Sequence, residues 1–269
     1  MSVQVHVHRD AEAAAAAAVK RFIEVGQSAI GQRGRFCAAL AGGTTPIRMY
    51  EMLAEAPRFG TPRTSTREHL REGREPEDDD ALDWRLVHVL FTDERCVPPD
   101  HPDSNYAMVR RWLLDRVGVP AFQVHRIEGE LTPHELAAER YDSLVRTLFG
   151  VGDGPPALEP TFDLVLLGVG ADGHTASLFP GSQALAEERR WAVHTQAPKG
   201  AEPRDRITLT RPAINAARRV LFLVTGVNKA HVVRPLLAGL GDPGWPAALV
   251  RCAGYTEWHV DEAAAGIAK

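Results

Sequence analysis

The feature that most constrains the fold is a recurring unit, in which a short apolar run ends in glycine, threonine or charged residues just before a predicted helix. The most informative copy is FDLVLLGVGADGHTASLFPG, residues 162–181. Its apolar run, 162–167, is typical of a central parallel strand buried on both faces. The glycines that follow allow the backbone to turn sharply, and they bring His174 to the carboxyl end of the strand, where open α/β sheets bind ligands. From this segment alone, a catalytic histidine and a solvated surface histidine are equally well supported.

Similar apolar runs occur at 35–41, 84–91 and 219–225, and each is followed by a glycine-containing or charged turn. Repeated alternation of buried strands and helices predicts an α/β fold, a single-domain, doubly wound, mostly parallel sheet flanked by helices and Rossmann-like. No internal repeat and no second apolar core are evident, so we predict one domain over residues 1–269. Residues 60–83 carry many charges of both signs and few apolar side chains, and we interpret them as a solvated, mobile insertion.

Local signals predict three further elements. Residues 3–8 alternate apolar and polar side chains, which predicts a half-buried edge strand with His6 and His8 on its solvated face. Asp10 is expected to cap an alanine-rich helix that runs to about residue 31. The spacing of Thr132 and Glu135 matches a capping box and predicts a helix that ends at Phe149.

The composition excludes several classes of protein. The 31 basic and 35 acidic residues give a net charge of −4, which does not favour a nucleic-acid partner. No apolar run approaches the ~20 residues of a membrane helix, and the N-terminus lacks a secretory signal pattern. The three cysteines have no metal-ligand spacing and are typical of a reducing compartment. We therefore expect a cytoplasmic protein with no membrane partner and no evident obligate protein partner.

The run 35–41 leads into a Gly-Gly-Thr-Thr turn, residues 42–45, before a helix predicted to start at Pro46. In such a turn, backbone N–H groups and two hydroxyls converge at the positive end of a helix dipole, which favours an anion. The spacing matches neither a Walker loop nor a dinucleotide-binding fingerprint. A well-capped turn without a ligand would look the same, so this motif is weak by itself.

Charged residues follow two of the other runs. Asp93, Glu94 and Arg95 come at the tip of the strand predicted for 84–91, where charges are costly unless they are exposed or paired. Pairing of Arg95 with one of the two carboxylates and a substrate site are both open interpretations. Lys229 lies near a predicted helix start, which disfavours a cation and so favours an anion nearby.

Four segments together resemble the 6-phosphogluconolactonases, which are grouped with glucosamine-6-phosphate deaminases and ribose-5-phosphate isomerases. The segments are ALAGGTTP (39–46), FTDERCVPPDHPDSNY (91–106), LLGVGADGHTASLFPG (166–181), and RITLT with TGVNKA (206–210 and 225–230). The deaminases read GHIAFNEPG after the glycine, with a functional glutamate before the proline. This chain has Phe179 there, which argues against deamination. The charged insertion is longer than the family pattern leads us to expect.

The resemblance implies a carboxylic ester hydrolase of the pentose phosphate pathway, which opens 6-phospho-D-glucono-1,5-lactone to 6-phospho-D-gluconate without a cofactor. In this hypothesis His174 is the general base, because the usual pKa of histidine, about 6.5, suits that role near neutral pH. Ser177 lacks the surroundings of a nucleophile elbow, so direct attack by water is favoured. Asp172 orients His174 or shapes the glycine turn, and Asp93 binds sugar hydroxyls or holds Arg95.

The phosphate of the substrate requires a cluster of cations and hydrogen-bond donors, which arginine supplies with two parallel bonds. The predicted substrate and phosphate ligands are Gly42, Gly43, Thr44, Thr45, Arg95, Gly170, Arg206 and Lys229. No metal is expected, because no histidine, aspartate or cysteine group has convincing ligand spacing. A glucosamine-6-phosphate deaminase-like isomerase and a non-catalytic sugar-phosphate sensor remain as alternatives.

Overall fold

A computed structural model describes residues 2–56, 81–152, 154, 156 and 161–267. The strands in these ranges are β1 (Ser2–His8), β2 (Phe36–Leu40), β3 (Val87–Phe91), β4 (Asp93–Arg95), β5 (Leu164–Leu167), β6 (Ala192–Gln196), β7 (Asp205–Leu209), β8 (Arg219–Val224) and β9 (Tyr255–Asp261). The helices are α1 (Ala11–Arg33), α2 (Ile47–Glu55), α3 (Asn105–Trp112), α4 (His134–Phe149), α5 (Arg211–Asn215), α6 (Ala230–Leu237) and α7 (Glu262–Ala265).

Six strands form one parallel sheet in the order β1-β9-β8-β5-β2-β3. The central strands β2 and β5 are buried along their whole length, as their continuous apolar sequences predict. Because helices follow β1, β2 and β8, the sheet has the doubly wound arrangement that the sequence predicts, and the predicted fold class is confirmed.

The chain changes direction between β2 and β5. From β2 it continues outward to β3, and it then returns across the sheet to β5 on the other side of β2. In open α/β sheets the crevice at the carboxyl ends of two such strands is where ligands bind. The Gly-Gly-Thr-Thr turn follows β2 and the His174 turn follows β5, so the topology brings these two predicted segments to one crevice.

A second, antiparallel sheet of β4, β7 and β6 stands at the carboxyl end of β3. Thr92 joins the two sheets, because its amide donates to the carbonyl of Leu40 at 3.0 Å and its carbonyl accepts from the amide of Leu209 at 2.8 Å. The sequence predicts strands near 191–194 and 207–210, but not that they form a separate sheet with residues 93–95.

Two buried tyrosines hold the ends of β2 and β3 in place. The hydroxyl of Tyr50 donates to the carbonyl of Ala41 at 2.7 Å. The hydroxyl of Tyr141 donates to the carbonyl of Phe91 at 2.8 Å and accepts from the Phe91 amide at 2.9 Å. Burial raises the pKa of both phenols well above the ordinary value. These contacts satisfy backbone groups at the strand ends that would otherwise be buried without partners.

The first strand lies at the sheet edge and exposes His6, as predicted, but its valines and His8 differ from the prediction. Val3, Val5 and Val7 are exposed, whereas His8 on the opposite face is half-buried. The reason is that β1 lies at the sheet edge and its histidine face packs toward His259 of β9. The predicted cap at Asp10 is confirmed by a 2.8 Å bond from the amide of Ala13.

Other predictions of helix starts are partly wrong. Helix α4 exists as predicted, but its N-cap is Pro133 and no capping box forms. The helix after the Gly-Gly-Thr-Thr turn begins at Ile47, with Pro46 as its N-cap. Residues 57–80, which contain most of the predicted insertion, lie outside the described residues. The prediction that residues 60–83 are solvated is wrong for Ala81 and Leu82, which are buried. No described helix is long and apolar enough to span a membrane.

Candidate active site

The turn after β5 holds His174 against Asp172. The Nδ1 atom of His174 lies 2.5 Å from Oδ1 of Asp172, and the backbone amide of His174 donates to the same oxygen at 3.2 Å. Partial burial works to raise the pKa of Asp172, but the neighbouring His174 and its hydrogen bonds lower it below the usual value. The carboxylate is therefore ionised at neutral pH and accepts a hydrogen bond from the N–H at Nδ1. In this tautomer Nε2 carries the lone pair and is the basic nitrogen. The imidazole is 34 % exposed, so a substrate can reach it.

Glycines in this turn make room for the imidazole. A Cβ atom at position 170 would lie 2.0 Å from Nδ1 of His174 and 2.7 Å from Oδ1 of Asp172. The amide of Gly170 donates to the carbonyl of His174 at 2.8 Å, so this N–H is already used within the turn. Gly173 has a φ of +81°, and a Cβ there would lie 2.4 Å from the ring of Trp245. The glycine pattern thus serves the close approach of side chains as well as the turn itself.

The other side of the imidazole is apolar. The ring of Phe179 lies 4.9 Å from that of His174, centroid to centroid, and Phe179 itself is buried. The residue that separates this chain from the deaminase pattern is therefore in direct contact with the proposed base.

Arg95 and Arg206 form the strongest positive feature of this edge. They are direct neighbours in the register of β4 and β7, and Arg206 is only 8 % exposed. The Nε atoms of both side chains are buried without a hydrogen-bond partner. Burial and the charge of Arg95 lower the pKa of Arg206, although Asp93 partly offsets this effect. Within the described ranges neither arginine forms an ion pair with a carboxylate, so the two adjacent cations have no protein counter-ion there.

Glu94 does not pair with the guanidinium of Arg95. It is 2 % exposed and caps α3, accepting from the amides of Asn105 at 2.7 Å and Tyr106 at 2.8 Å. It also accepts from the backbone amide of Arg95 at 2.7 Å. Burial raises the pKa of Glu94, and these hydrogen bonds oppose that rise. The interpretation that Arg95 is balanced by a neighbouring carboxylate is therefore not supported, and its Nη1 atom instead donates to the carbonyl of Asp103 at 2.5 Å.

Asp93 lies beneath the site and connects its parts. One carboxylate oxygen accepts from Oγ of Ser177 at 2.7 Å, and the other accepts from Oγ1 of Thr92 at 3.2 Å. The amide of Ser177 in turn donates to Oγ1 of Thr208 at 3.1 Å. Through Ser177, the histidine turn is fastened to both β4 and β7, the strands that carry Arg95 and Arg206.

The Gly-Gly-Thr-Thr turn packs closely against Asn105, which belongs to the same network. A Cβ at Gly42 would lie 1.9 Å from Oδ1 of Asn105, whose Nδ2 atom donates to the carbonyl of Asp93 at 2.9 Å. Gly43 has a φ of +85°, and Thr44 is exposed. In the part of the chain that is described, the amides of residues 43–45 donate to no other protein group. They are free to bind an anion at the start of α2.

Lys229 is half-buried in a 3-10 turn, residues 227–229, directly before α6, and it forms no ion pair with a described residue. Nearby His231 contacts the carbonyl of Ala171 through Nε2 at 2.7 Å, which links this segment to the histidine turn.

The structure thus brings all the predicted segments to one sheet edge. Sequence analysis missed Asn105 as a connecting residue, and it assigned Ser177 only a rejected nucleophilic role. Both residues lie inside the segments that carried the family resemblance, which was the available signal. Sequence analysis also gave no indication of Trp245 and His231, which lie far along the chain and contact the turn that carries His174.

Comparisons with known proteins agree with this geometry. The family model described as glucosamine-6-phosphate isomerases/6-phosphogluconolactonase matches residues 9–258. The chain is 38 % identical over 237 residues to a 6-phosphogluconolactonase of Synechocystis, covering 88 % of this chain and 86 % of the relative. It is 40 % identical over 237 residues to the 6-phosphogluconolactonase of Homo sapiens, covering 87 % and 81 %.

Solved structures give the same result. The 6-phosphogluconolactonase of Trypanosoma brucei superposes with a TM-score of 0.76 at 30 % identity, over 98 % of each chain. The matched range contains all four segments that carry the site. The chain therefore belongs to the family of glucosamine-6-phosphate isomerases and 6-phosphogluconolactonases.

Proposed function

We propose that this chain is a 6-phosphogluconolactonase, which hydrolyses 6-phospho-D-glucono-1,5-lactone to 6-phospho-D-gluconate. The observation that carries the proposal is the combination of the His174–Asp172 pair with the unbalanced Arg95–Arg206 pair at one sheet edge. The first pair offers a base, and the second offers a place for a phosphate dianion. The identities of 38–40 % to lactonases over most of the chain support the same substrate.

In the proposed mechanism, Nε2 of His174 removes a proton from a water molecule as that water attacks the lactone carbonyl carbon. Asp172 accepts the Nδ1 proton in a hydrogen bond and so stabilises the imidazolium that forms. When the tetrahedral intermediate collapses, the bond from the carbonyl carbon to the ring oxygen breaks. The ring oxygen then takes the proton from Nε2, which restores the neutral imidazole and releases an open-chain acid.

The phosphate is proposed to lie against Arg95 and Arg206, with Lys229 and the amides and hydroxyls of residues 43–45 as further donors. Arg206 is preformed for this role, because its side chain is buried and its Nε has no protein partner. A buried cation without a counter-ion is costly, and a phosphate would remove that cost. Asp93 is proposed to act as a positioning residue, since its oxygens are occupied by Ser177 and Thr92.

Phe179 favours hydrolysis of a lactone over deamination. A deaminase-like reaction would use a carboxylate at this position, whereas here an apolar ring packs on the imidazole. The proposed location is the cytoplasm. The three cysteines, Cys37, Cys96 and Cys252, form no disulfide, which is typical of a reducing compartment and supports this proposal.

The test is to supply freshly generated 6-phosphogluconolactone and to follow acid release in weak buffer against a control without enzyme. Release well above the spontaneous rate, abolished by His174→Ala, is expected. A parallel reaction with glucosamine 6-phosphate and an ammonia readout tests the alternative. Ammonia release, or lactone hydrolysis at the spontaneous rate, would contradict the proposal.

A further inference from the structure

Imidazole and carboxylate side chains meet where the edge strand β1 pairs with β9, away from the crevice of the active site. The parallel register places His6 opposite His259 and Gln4 opposite Glu257, so these side chains share one face of the sheet. Ligand atoms of His6, Glu257 and His259 all lie within 4.8 Å of one another. Among the described residues, no other group of three histidine, cysteine, aspartate or glutamate side chains is gathered in this way.

His259 gives an independent indication of a ligand. It is only 5 % exposed, and its Nε2 atom is buried without a hydrogen-bond partner. The nearest oxygen of Glu257 is 3.9 Å from Nε2, which is too far for a hydrogen bond. The other nitrogen, Nδ1, lies 3.2 Å from Nε2 of His8. When Nδ1–H donates to His8, the lone pair of Nε2 points into the cluster, which is the tautomer that binds metals.

We propose that His6, Glu257 and His259 bind one transition-metal ion, with Zn²⁺ as the best fit, and that this ion fastens β1 to β9. Two imidazole nitrogens and one carboxylate oxygen suit Zn²⁺ and its neighbours, whereas Mg²⁺ and Ca²⁺ prefer oxygen ligands alone. Zinc–ligand distances of about 2.0–2.2 Å place two ligand atoms roughly 3.4 Å apart on a tetrahedral ion. The ring of His6 stacks on that of His259, with centroids 4.9 Å apart and an interplanar angle of 25°, so His6 must rotate to bind the ion together with His259, and its exposed position leaves room for this.

Two cations beside Glu257 limit the affinity. Nε of Arg21 donates to Oε2 of Glu257 at 2.6 Å, and Nη1 of Arg219 donates to Oε1 at 2.7 Å. These guanidiniums repel a divalent ion and share the carboxylate with it. The site is therefore weaker than the closed sites of zinc fingers, and the two imidazoles supply most of the binding. Its role is to stabilise an edge strand whose outer valines are exposed.

The test is calorimetric titration of the full chain, freed of metal by a chelator, with ZnCl₂. One equivalent is expected to bind, and His6→Gln is expected to weaken binding at least about tenfold, with a comparable or larger loss for His259→Ala. His6→Gln changes an exposed position and leaves the core intact, so it separates loss of binding from loss of folding. His125→Gln is the matched control. His88 and His125 are also stacked, with Nδ1 of His88 3.0 Å from Nε2 of His125, but no third metal-ligating side chain is gathered with them among the described residues.

Two further measurements distinguish zinc binding at this cluster from zinc binding at the active site. Zn²⁺ should raise the melting temperature of the wild type but not that of His6→Gln, since only a ligand that binds the folded state stabilises it. Hydrolysis of the lactone should be unchanged by one equivalent of Zn²⁺. Equal affinity in the wild type and His6→Gln, binding that only His174→Ala abolishes, or a Kd weaker than about 1 mM would each overturn the proposal.

Discussion

Replacing Gly170 by alanine is expected to displace His174, the proposed base, without unfolding the protein. The new methyl carbon would lie 2.0 Å from Nδ1 of His174 and 2.1 Å from its Cε1. Ordinary contact begins at 3.4 Å, so the imidazole must retreat by about 1.4 Å. The atoms in conflict belong to a partly exposed side chain at a surface turn, so they can move at little cost in folding free energy.

The size of the effect follows from that displacement. A misplacement of about 1 Å in a catalytic group costs on the order of 10²-fold in rate. We therefore expect Gly170→Ala to lower kcat by about 10² to 10³, approaching the ~10²–10⁴ expected for removal of the base itself. KM should change little, because the proposed phosphate site is the arginine pair rather than the glycine turn. The free energy of unfolding should stay within about 1 kcal/mol of wild type.

Gly168 provides a matched control in the same turn. A Cβ at Gly168 would meet no atom within 4 Å, and its φ lies outside the left-handed region. Gly168→Ala should therefore keep kcat within about twofold. Initial rates of acid release from the lactone, with denaturant unfolding of each variant, check both expectations. Equal activity of the two variants, or an equal loss in both, would refute the steric explanation.

Three other predictions concern different parts of the molecule. Arg206→Ala should raise KM for the lactone at least about tenfold while kcat falls less, because the lost contact is the proposed one to the phosphate. Arg206→Lys should restore part of the lost affinity, and an unchanged KM in Arg206→Ala would remove Arg206 from the site. Although burial opposes this, the neighbouring His174 lowers the pKa of Asp172, so its carboxylate stays ionised at neutral pH. Asp172→Asn should therefore lower the plateau of kcat/KM by about 10² and leave the acid limb of the pH profile in place; disappearance of that limb would assign it to Asp172. Tyr141→Phe should destabilise the fold by about 1–3 kcal/mol in denaturant, more than Tyr50→Phe, because two backbone groups of Phe91 lose their partner rather than one; equal losses would contradict this account.

Much of the fold was predictable because the strands of the central sheet are buried on both faces. Their apolar runs leave little choice of secondary structure, and the alternation with helices fixes the class of sheet. The predictions failed where side-chain spacing is a weak signal. The Thr132–Glu135 spacing matches a capping box, yet Pro133 is the N-cap of α4 and no box forms. Strand β1 exposes its valines, because the pattern of alternation cannot say which face of an edge strand packs inward.

The candidate site also has parts that could be predicted from the sequence and parts that could not. The glycine turn, with the histidine and aspartate, is local in sequence, so its position after β5 and the closeness of Asp172 to His174 could be predicted from residues 168–174. The roles of Asp93 and Glu94 could not, because each is decided by partners far along the chain. Ser177 occupies Asp93 and the start of α3 occupies Glu94, so the two carboxylates are unavailable to the arginines. Spacing in sequence cannot show that a charged residue lacks a partner.

The arginine pair has no carboxylate partner among the described residues, and it lies on different elements from the proposed base. We therefore expect phosphate binding and proton transfer to depend on different parts of the molecule. If Glu94 paired with Arg95, one of the two adjacent guanidinium charges would already be balanced, and a phosphate would gain less by binding there. Because Glu94 caps a helix, the arginines keep their charge, and Asp93 offsets Arg206 only in part. The proposed base, His174, lies on another element, the turn after β5, and Ser177 links that turn to β4. Removing this link with Ser177→Ala should therefore impair kcat and KM together, whereas changes confined to the glycine turn should lower kcat alone.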